Sequence, residues 1–195
     1  MDPFNRLRHL IDKIRLGLDT TFYTEYLRRQ GVRIGGNSRV IYPSYIDAGL
    51  PYLVEIGDNV TISMFATILA HDATTAYAGD LVKIGKVVIC DRCFIGANST
   101  IVCNVRIGPN SIVGAGSVVT HDIPPDTVCA GNPARVVCST SEFEEKHRES
   151  GSRLPLFALK KGPQKHEVIQ EVRDALENTF GYCCSELPRQ NKKRS

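Results

Sequence analysis

The sequence predicts a mainly β chain: a three-sided coil of short parallel strands, with helices before and after it. Two observations carry that expectation. A branched aliphatic returns every sixth residue, at Ile95, Ile101, Ile107, Val113 and Val119, a period that fits neither an α-helix nor a simply alternating strand. Turn residues return in step with it. Gly35, Gly57, Gly85, Gly96, Gly108 and Gly114 each follow an aliphatic, and Asn37, Asn59, Asn98 and Asn110 lie two residues past a glycine.

A six-residue unit has room for a short flat strand and a sharp bend. Gly and Asn relieve the bend because they accept positive φ most readily. Three such sides close a triangular turn. Stacked turns place each aliphatic above the last and pair their strands in parallel at about 4.8 Å. No single turn buries enough surface to stand alone, so the repeat as a whole is the folding unit.

The elements follow in order. Residues 1–31 form an N-terminal helical segment: Phe4, Leu7, Leu10, Ile11, Ile14 and Leu18 make a helical stripe. Asp19-Thr20-Thr21 predicts a break and a new helix cap, and Gly31 a stop. Residues 32–137 carry the coil. Its rhythm stumbles at Asp47-Ala48-Gly49-Leu50-Pro51 and breaks across a loop at 72–83, directly after His71. Residues 138–195 form a helical extension. Ser141-Glu142-Phe143-Glu144 resembles a capping box opening a short helix, residues 151–162 read as a connector, and a second helix is expected over 165–180. Residues 185–195 are expected to fray.

The bulk numbers narrow the function. The chain has 195 residues, is 42% hydrophobic and carries a formal charge of only +3, which gives no general case for nucleic-acid binding. It has no apolar run of membrane-spanning length and no signal-peptide pattern, so a cytoplasmic protein is expected. Basic residues gather at the ends, among them Arg6, Arg8, Lys13, Arg15, Lys192, Lys193 and Arg194. These read as solvated faces first. A peripheral contact with the anionic inner membrane is the alternative. Seven cysteines are an odd number in a chain too long to need staples, and reduced thiols follow.

The hexads, the segment V-G-A-G-S-V-V-T-H-D-I-P-P-D at 113–126 and the closing G-N-P-A-R at 131–135 resemble the hexapeptide-repeat acyltransferases. Within them, I-L-A-H-D before an irregular loop is similar to the bacterial sugar and polysaccharide O-acetyltransferases. The resemblance implies a left-handed parallel β-helix, a hand that runs against the usual right-handed crossover. It implies a homotrimer with active sites between subunits, acetyl-CoA as cosubstrate and no metal. The implied reaction is O-acetylation of a sugar or polysaccharide precursor by direct transfer.

His71 stands where the repeat breaks. Transfer to a hydroxyl needs a base near neutrality, and an imidazole suits it. The alternative is a surface loop histidine. Asp72 is expected to orient the ring, or a backbone carbonyl to do so instead, and the plain alternative for Asp72 is a turn aspartate. For the cofactor, the resemblance implies backbone contacts at Ala97 and Ala115 along the pantetheine arm. It places Thr120, His121 and Arg135 toward the nucleotide, where arginine meets phosphate bidentately. His121 occupies a place usually held by Lys or Arg, and Cys103-Asn104 stands where Pro-Gly is common. Tyr42, Tyr45 and Asp47 are candidates for holding a sugar, with the 73–83 loop helping to select it.

Cys90, Cys93, Cys103 and Cys129 fall where the coil wants small packing residues. Three alternatives stay open on sequence: N-acetylation of a nucleotide-linked amino sugar, a zinc hydratase of the same fold, and a non-catalytic scaffold. The zinc reading needs three converging histidines, and only His71 and His121 lie in the repeat.

Overall fold

A computed structural model describes residues 19–159 and 164–184. The expected N-terminal stripe from Phe4 to Leu18, most of the terminal basic residues and the expected frayed end lie outside them. The described residues fall into two compact units, divided between Ser141 and Glu142.

The first unit is the coil. Its strands fall into three sheets that the chain visits in rotation. The first face stacks Arg33–Ile34, Val54–Ile56, Val87–Ile89 and Val105–Ile107. The second stacks Arg39–Val40, Thr61–Ile62, Phe94–Ile95, Ile112–Val113 and Thr127–Ala130. The third stacks Tyr45–Ile46, Thr67–Ile68, Thr100–Ile101 and Val118–Val119. All pairings within these stacks are parallel. An antiparallel strand, Arg135–Ser139, closes the second face.

Two-residue strands put one side chain in and one out. The inward set is the sixfold aliphatic column: Val40, Ile62, Ile68, Ile95, Ile101, Ile107, Val113 and Val119 are all 0% exposed. The corner asparagines Asn37, Asn59, Asn98 and Asn110 take φ of 54–57°, the left-handed bend their spacing predicts. The recurring serines are buried and bind one turn to the next: Ser38 Oγ donates to Gly57 O at 2.6 Å, and Ser111 Oγ to Pro124 O at 2.9 Å. At Gly96 a Cβ would lie 2.5 Å from the Ala115 nitrogen, so only glycine lets these turns close.

The helix Thr20–Arg29 covers the start of the coil. Asp19 caps it by accepting from the N–H groups of Thr21 and Phe22, and Gly31 leaves it at φ 105°. Thr24 Oγ1 accepts from the Val40 N–H, and Tyr23 and Leu27 are buried.

Turn length varies. Arg39 pairs with Thr61, Thr61 with Phe94 and Phe94 with Ile112, so successive turns take 22, 33 and 18 residues. Eighteen is three hexads. The extra residues leave the coil at two places on the corner between the third and first faces: residues 47–53, and a loop after Ile68. The loop is ordered by its own contacts. His71–Asp72 pairs antiparallel with Lys83–Ile84. Thr75 Oγ1 donates to Leu81 O and accepts from the Lys83 N–H.

The second unit differs from its sequence expectations. The helix opening near Ser141 is not short; it runs Thr140–Arg153. Residues 151–162 are not simply a connector, because they contain the end of that helix and a strand, Leu156–Ala158. The last helix spans His166–Ala175 rather than 165–180. Its apolar spacing continues past Ala175, but the chain turns to place Tyr182–Cys184 parallel to Leu156–Ala158. Strand pairing overrides the helical pattern there. Among the described residues no helix is long and apolar enough to cross a membrane.

Candidate active site

Where the coil first loses its period, stacking brings Asp47 beneath His71. Asp47 follows the third-face strand Tyr45–Ile46 and its N–H donates to Ile68 O. His71 follows the next strand of that face, Thr67–Ile68, by three residues. The two side chains meet at 2.5 Å between His71 Nδ1 and Asp47 Oδ2.

Asp47 is 0% exposed. Its other bonds come from backbone: Ala70 N–H to Oδ2 at 2.9 Å, Gly49 and Leu50 N–H to Oδ1 at 3.0 and 3.3 Å. Burial pushes its pKa up. The bonds from His71, Ala70, Gly49 and Leu50 together outweigh burial and hold the carboxyl below its ordinary value. An ionised carboxylate only accepts, so Nδ1 of the imidazole carries the proton toward Asp47. Nε2 is left as the basic nitrogen, on a side chain 36% exposed. A half-open imidazole whose Nδ1 is held by a carboxylate can accept a proton at Nε2.

The orienting carboxylate is therefore not the expected one. Asp72 Oδ1 accepts from the Thr74 N–H and hydroxyl and caps the short turn Ala73–Thr75. Those bonds, led by the Thr74 hydroxyl, lower its pKa. Asp47, a candidate for holding a sugar, is instead buried against His71. Its signal in the sequence was turn length: it precedes His71 by one 22-residue turn plus two.

The other candidates lie on two corners. Thr120 and His121 follow the third-face strand Val118–Val119, so they share the corner of His71, two turns further on. Thr120 Oγ1 and His121 Nδ1 are 2.8 Å apart. Ala97 and Ala115 lie on the corner between the second and third faces. Gly116 N–H donates to Ala97 O at 2.8 Å, stacking the two. Among the described residues their own N–H groups have no intramolecular acceptor. Arg135 continues this line, since it pairs with Ala130 of the following turn. It is exposed, with Nη1 on Ala134 O.

Tyr42 and Tyr45 are 42% and 47% exposed. Tyr45 lines a pocket of about 170 Å³ with Tyr23, Leu27 and Asp47. Tyr42 packs edge-on against Tyr23, ring centres 5.4 Å apart. A larger cleft of about 520 Å³ on the first face, walled by Arg33, Glu55 and Arg106, does not include His71.

Of the four thiols in the coil expected to pack, Cys93, Cys103 and Cys129 are buried and Cys90 is half-buried. Burial raises Cys93 and Cys129 to about 11, far from nucleophilic thiolate. Among the described residues no three of His, Cys, Asp and Glu converge as a metal site.

The family description "Bacterial transferase hexapeptide (six repeats)" matches residues 86–121. A Bacillus subtilis (strain 168) protein, YvoF, an acetyltransferase by name, is 33% identical over 135 residues, covering 69% of this chain and 74% of that protein. A Vibrio cholerae O1 biovar eltor hexapeptide-repeat acetyltransferase, solved with acetyl-CoA, is 28% identical with a TM-score of 0.50, over 66% of this chain and 82% of that one. A maltose O-acetyltransferase from Clostridium difficile 630 is 28% identical with a TM-score of 0.50, over 71% and 89%.

Proposed function

The chain belongs to the hexapeptide-repeat acetyltransferases, and from that premise we propose that it carries an acetyl group from acetyl-CoA to a hydroxyl of a sugar or glycan precursor. The observation that carries the reading is the imidazole of His71, pinned through Nδ1 by a buried carboxylate where the coil breaks. The sugar acceptor is supported by the likeness to a maltose O-acetyltransferase, and acetyl-CoA by the likeness to an enzyme solved with it.

In this mechanism Asp47 holds Nδ1–H, and Nε2 of His71 takes the proton of the acceptor hydroxyl. The freed oxygen attacks the thioester carbon, and an oxyanion forms on the carbonyl oxygen. As the C–S bond breaks, the imidazolium returns its proton to the leaving sulfur, giving an ester and free coenzyme A. Asp47 stabilises the transient imidazolium at short range. No acyl-enzyme is needed.

The small corner residues fit the cosubstrate. A flat pantetheine arm needs a floor without large side chains and open backbone donors, and Ala97 and Ala115 supply both. Arg135, at the far end of that line, suits the nucleotide phosphates. In one chain a third-face strand separates this corner from His71. A second copy of the chain brings the two corners together. We therefore place the site between subunits of a homotrimer of left-handed coils.

The test is mass spectrometry of sugars and nucleotide sugars after incubation with the full chain and acetyl-CoA. Ester products on hydroxyl acceptors are expected. Acetylation confined to an amino group would replace the hydroxyl assignment. Absence of coenzyme A release with every acceptor would reject the reading.

A further inference from the structure

The corner that carries Ala97 and Ala115 changes character one turn earlier. Strand register places Met64 over Ala97, and Phe65 over Asn98, because Thr61 pairs with Phe94 and Ile62 with Ile95. Asn98 N–H donates to Met64 O at 3.1 Å. The same two corner places thus read Met64–Phe65, Ala97–Asn98 and Ala115–Gly116 in successive turns. Tyr42 and Pro43 stand one turn earlier still, and Phe65 N–H donates to Pro43 O.

The second of these places requires a left-handed backbone: Phe65 has φ 61°, Asn98 57° and Gly116 69°. Asn and Gly adopt it readily, whereas a bulky side chain does not. Among the described residues, nine non-glycine residues have positive φ, and seven of them are Asn or Asp. Phe65 is the one aromatic. Its strain is not offset by burial, since Phe65 is 57% exposed and Met64 46%. An exposed apolar side chain held in a disfavoured conformation points to a contact outside the chain.

We infer that Phe65, with Met64, is the end wall of the acyl site and limits the transferred group to acetyl. The inference rests on the reading that coenzyme A lies along Ala97 and Ala115. Along that line the nucleotide end lies at Arg135, so the thioester end runs toward the turn of His71. There the alanine floor stops against Met64 and Phe65. A two-carbon acyl group ends at the wall, and a longer chain has to displace the ring. One methylene too many in a tight apolar site is worth about 10- to 200-fold in discrimination.

The test uses the full chain and its Phe65→Gly and Phe65→Asn variants. Calorimetry measures dissociation constants for acetyl-CoA, butyryl-CoA and free coenzyme A. The parent is expected to favour acetyl-CoA over butyryl-CoA by at least about 10-fold. In both variants that ratio should fall toward one. Both variants fit a left-handed backbone, so their Tm should rise by roughly 2–4 °C. Equal binding of the two thioesters by the parent, or an unchanged ratio in the variants, overturns the wall. A fall in Tm, or loss of the parent's oligomeric state in the variants, makes Phe65 a packing residue and also overturns it. Failure of the parent to bind any coenzyme A species removes the underlying function instead.

Discussion

The stretch from Ile89 to Val119 and the stretch from Asp47 to Gly85 build the same coil under different rules. In the first, every hexad is kept, a turn takes 18 residues, and inward side chains are fully buried aliphatics. In the second, turns take 22 and 33 residues. The surplus leaves the coil at one corner and carries Asp47, His71 and an ordered loop. The strands flanking the surplus remain in register, with Tyr45 on Thr67 and Thr67 on Thr100. The repeat builds the buried aliphatic column, and departures from it hold the Asp47–His71 pair. Residues added at a corner leave the stack without disturbing the pairing on either side, so they hold Asp47 and His71 together at a fixed place.

The sharpest way to separate the two regions is to remove one side chain from each. His71→Ala should lower acetyl transfer by about 10²- to 10⁴-fold, measured by steady-state coenzyme A release, with coenzyme A still bound. A turnover equal to the parent's would sink the assigned base. In the regular region, Ile101→Ala should cost about 2–5 kcal/mol of stability in denaturant titration, because a 0%-exposed side chain leaves a cavity between fixed turns. Tyr77→Ala, in the loop and fully exposed, should leave the same midpoint unmoved.

A smaller effect tests the link between the regions. Asp47→Asn should reduce turnover by about 10- to 100-fold, since an amide no longer fixes the proton on Nδ1. The stability effect has a definite sign. The folded-state pKa of Asp47 is depressed, so its contribution is fully present above the ordinary carboxylate value and is lost as pH falls through the depressed one. The Tm gap between parent and variant should be constant above about pH 5 and close as pH falls below about 4. A gap that widens on acidification would contradict the bonding at Asp47.

What was legible in the sequence follows from what repeats. Ile95, Ile101, Ile107, Val113 and Val119 declare the period, and Asn37, Asn59, Asn98 and Asn110 declare the bends. The longer interruption was legible because the hexads stop after Ile68, which set His71 apart as a candidate. Asp72 misled because nearness in sequence stood in for nearness in space. Its carboxylate turns back to Thr74, as an aspartate before a short turn does. The helix expected to reach residue 180 stops at Ala175, since apolar spacing alone does not reveal that Tyr182–Cys184 has a strand to join.

The sequence by itself determined the three-sided coil, its core and the places where the repeat breaks, because those depend on a short-range period that any six residues display. Only the tertiary structure decided which carboxylate holds the imidazole, and that Phe65 sits strained beside an alanine floor. Both depend on how many residues a turn takes before the chain returns to the same corner, and two insertions of different length set that number.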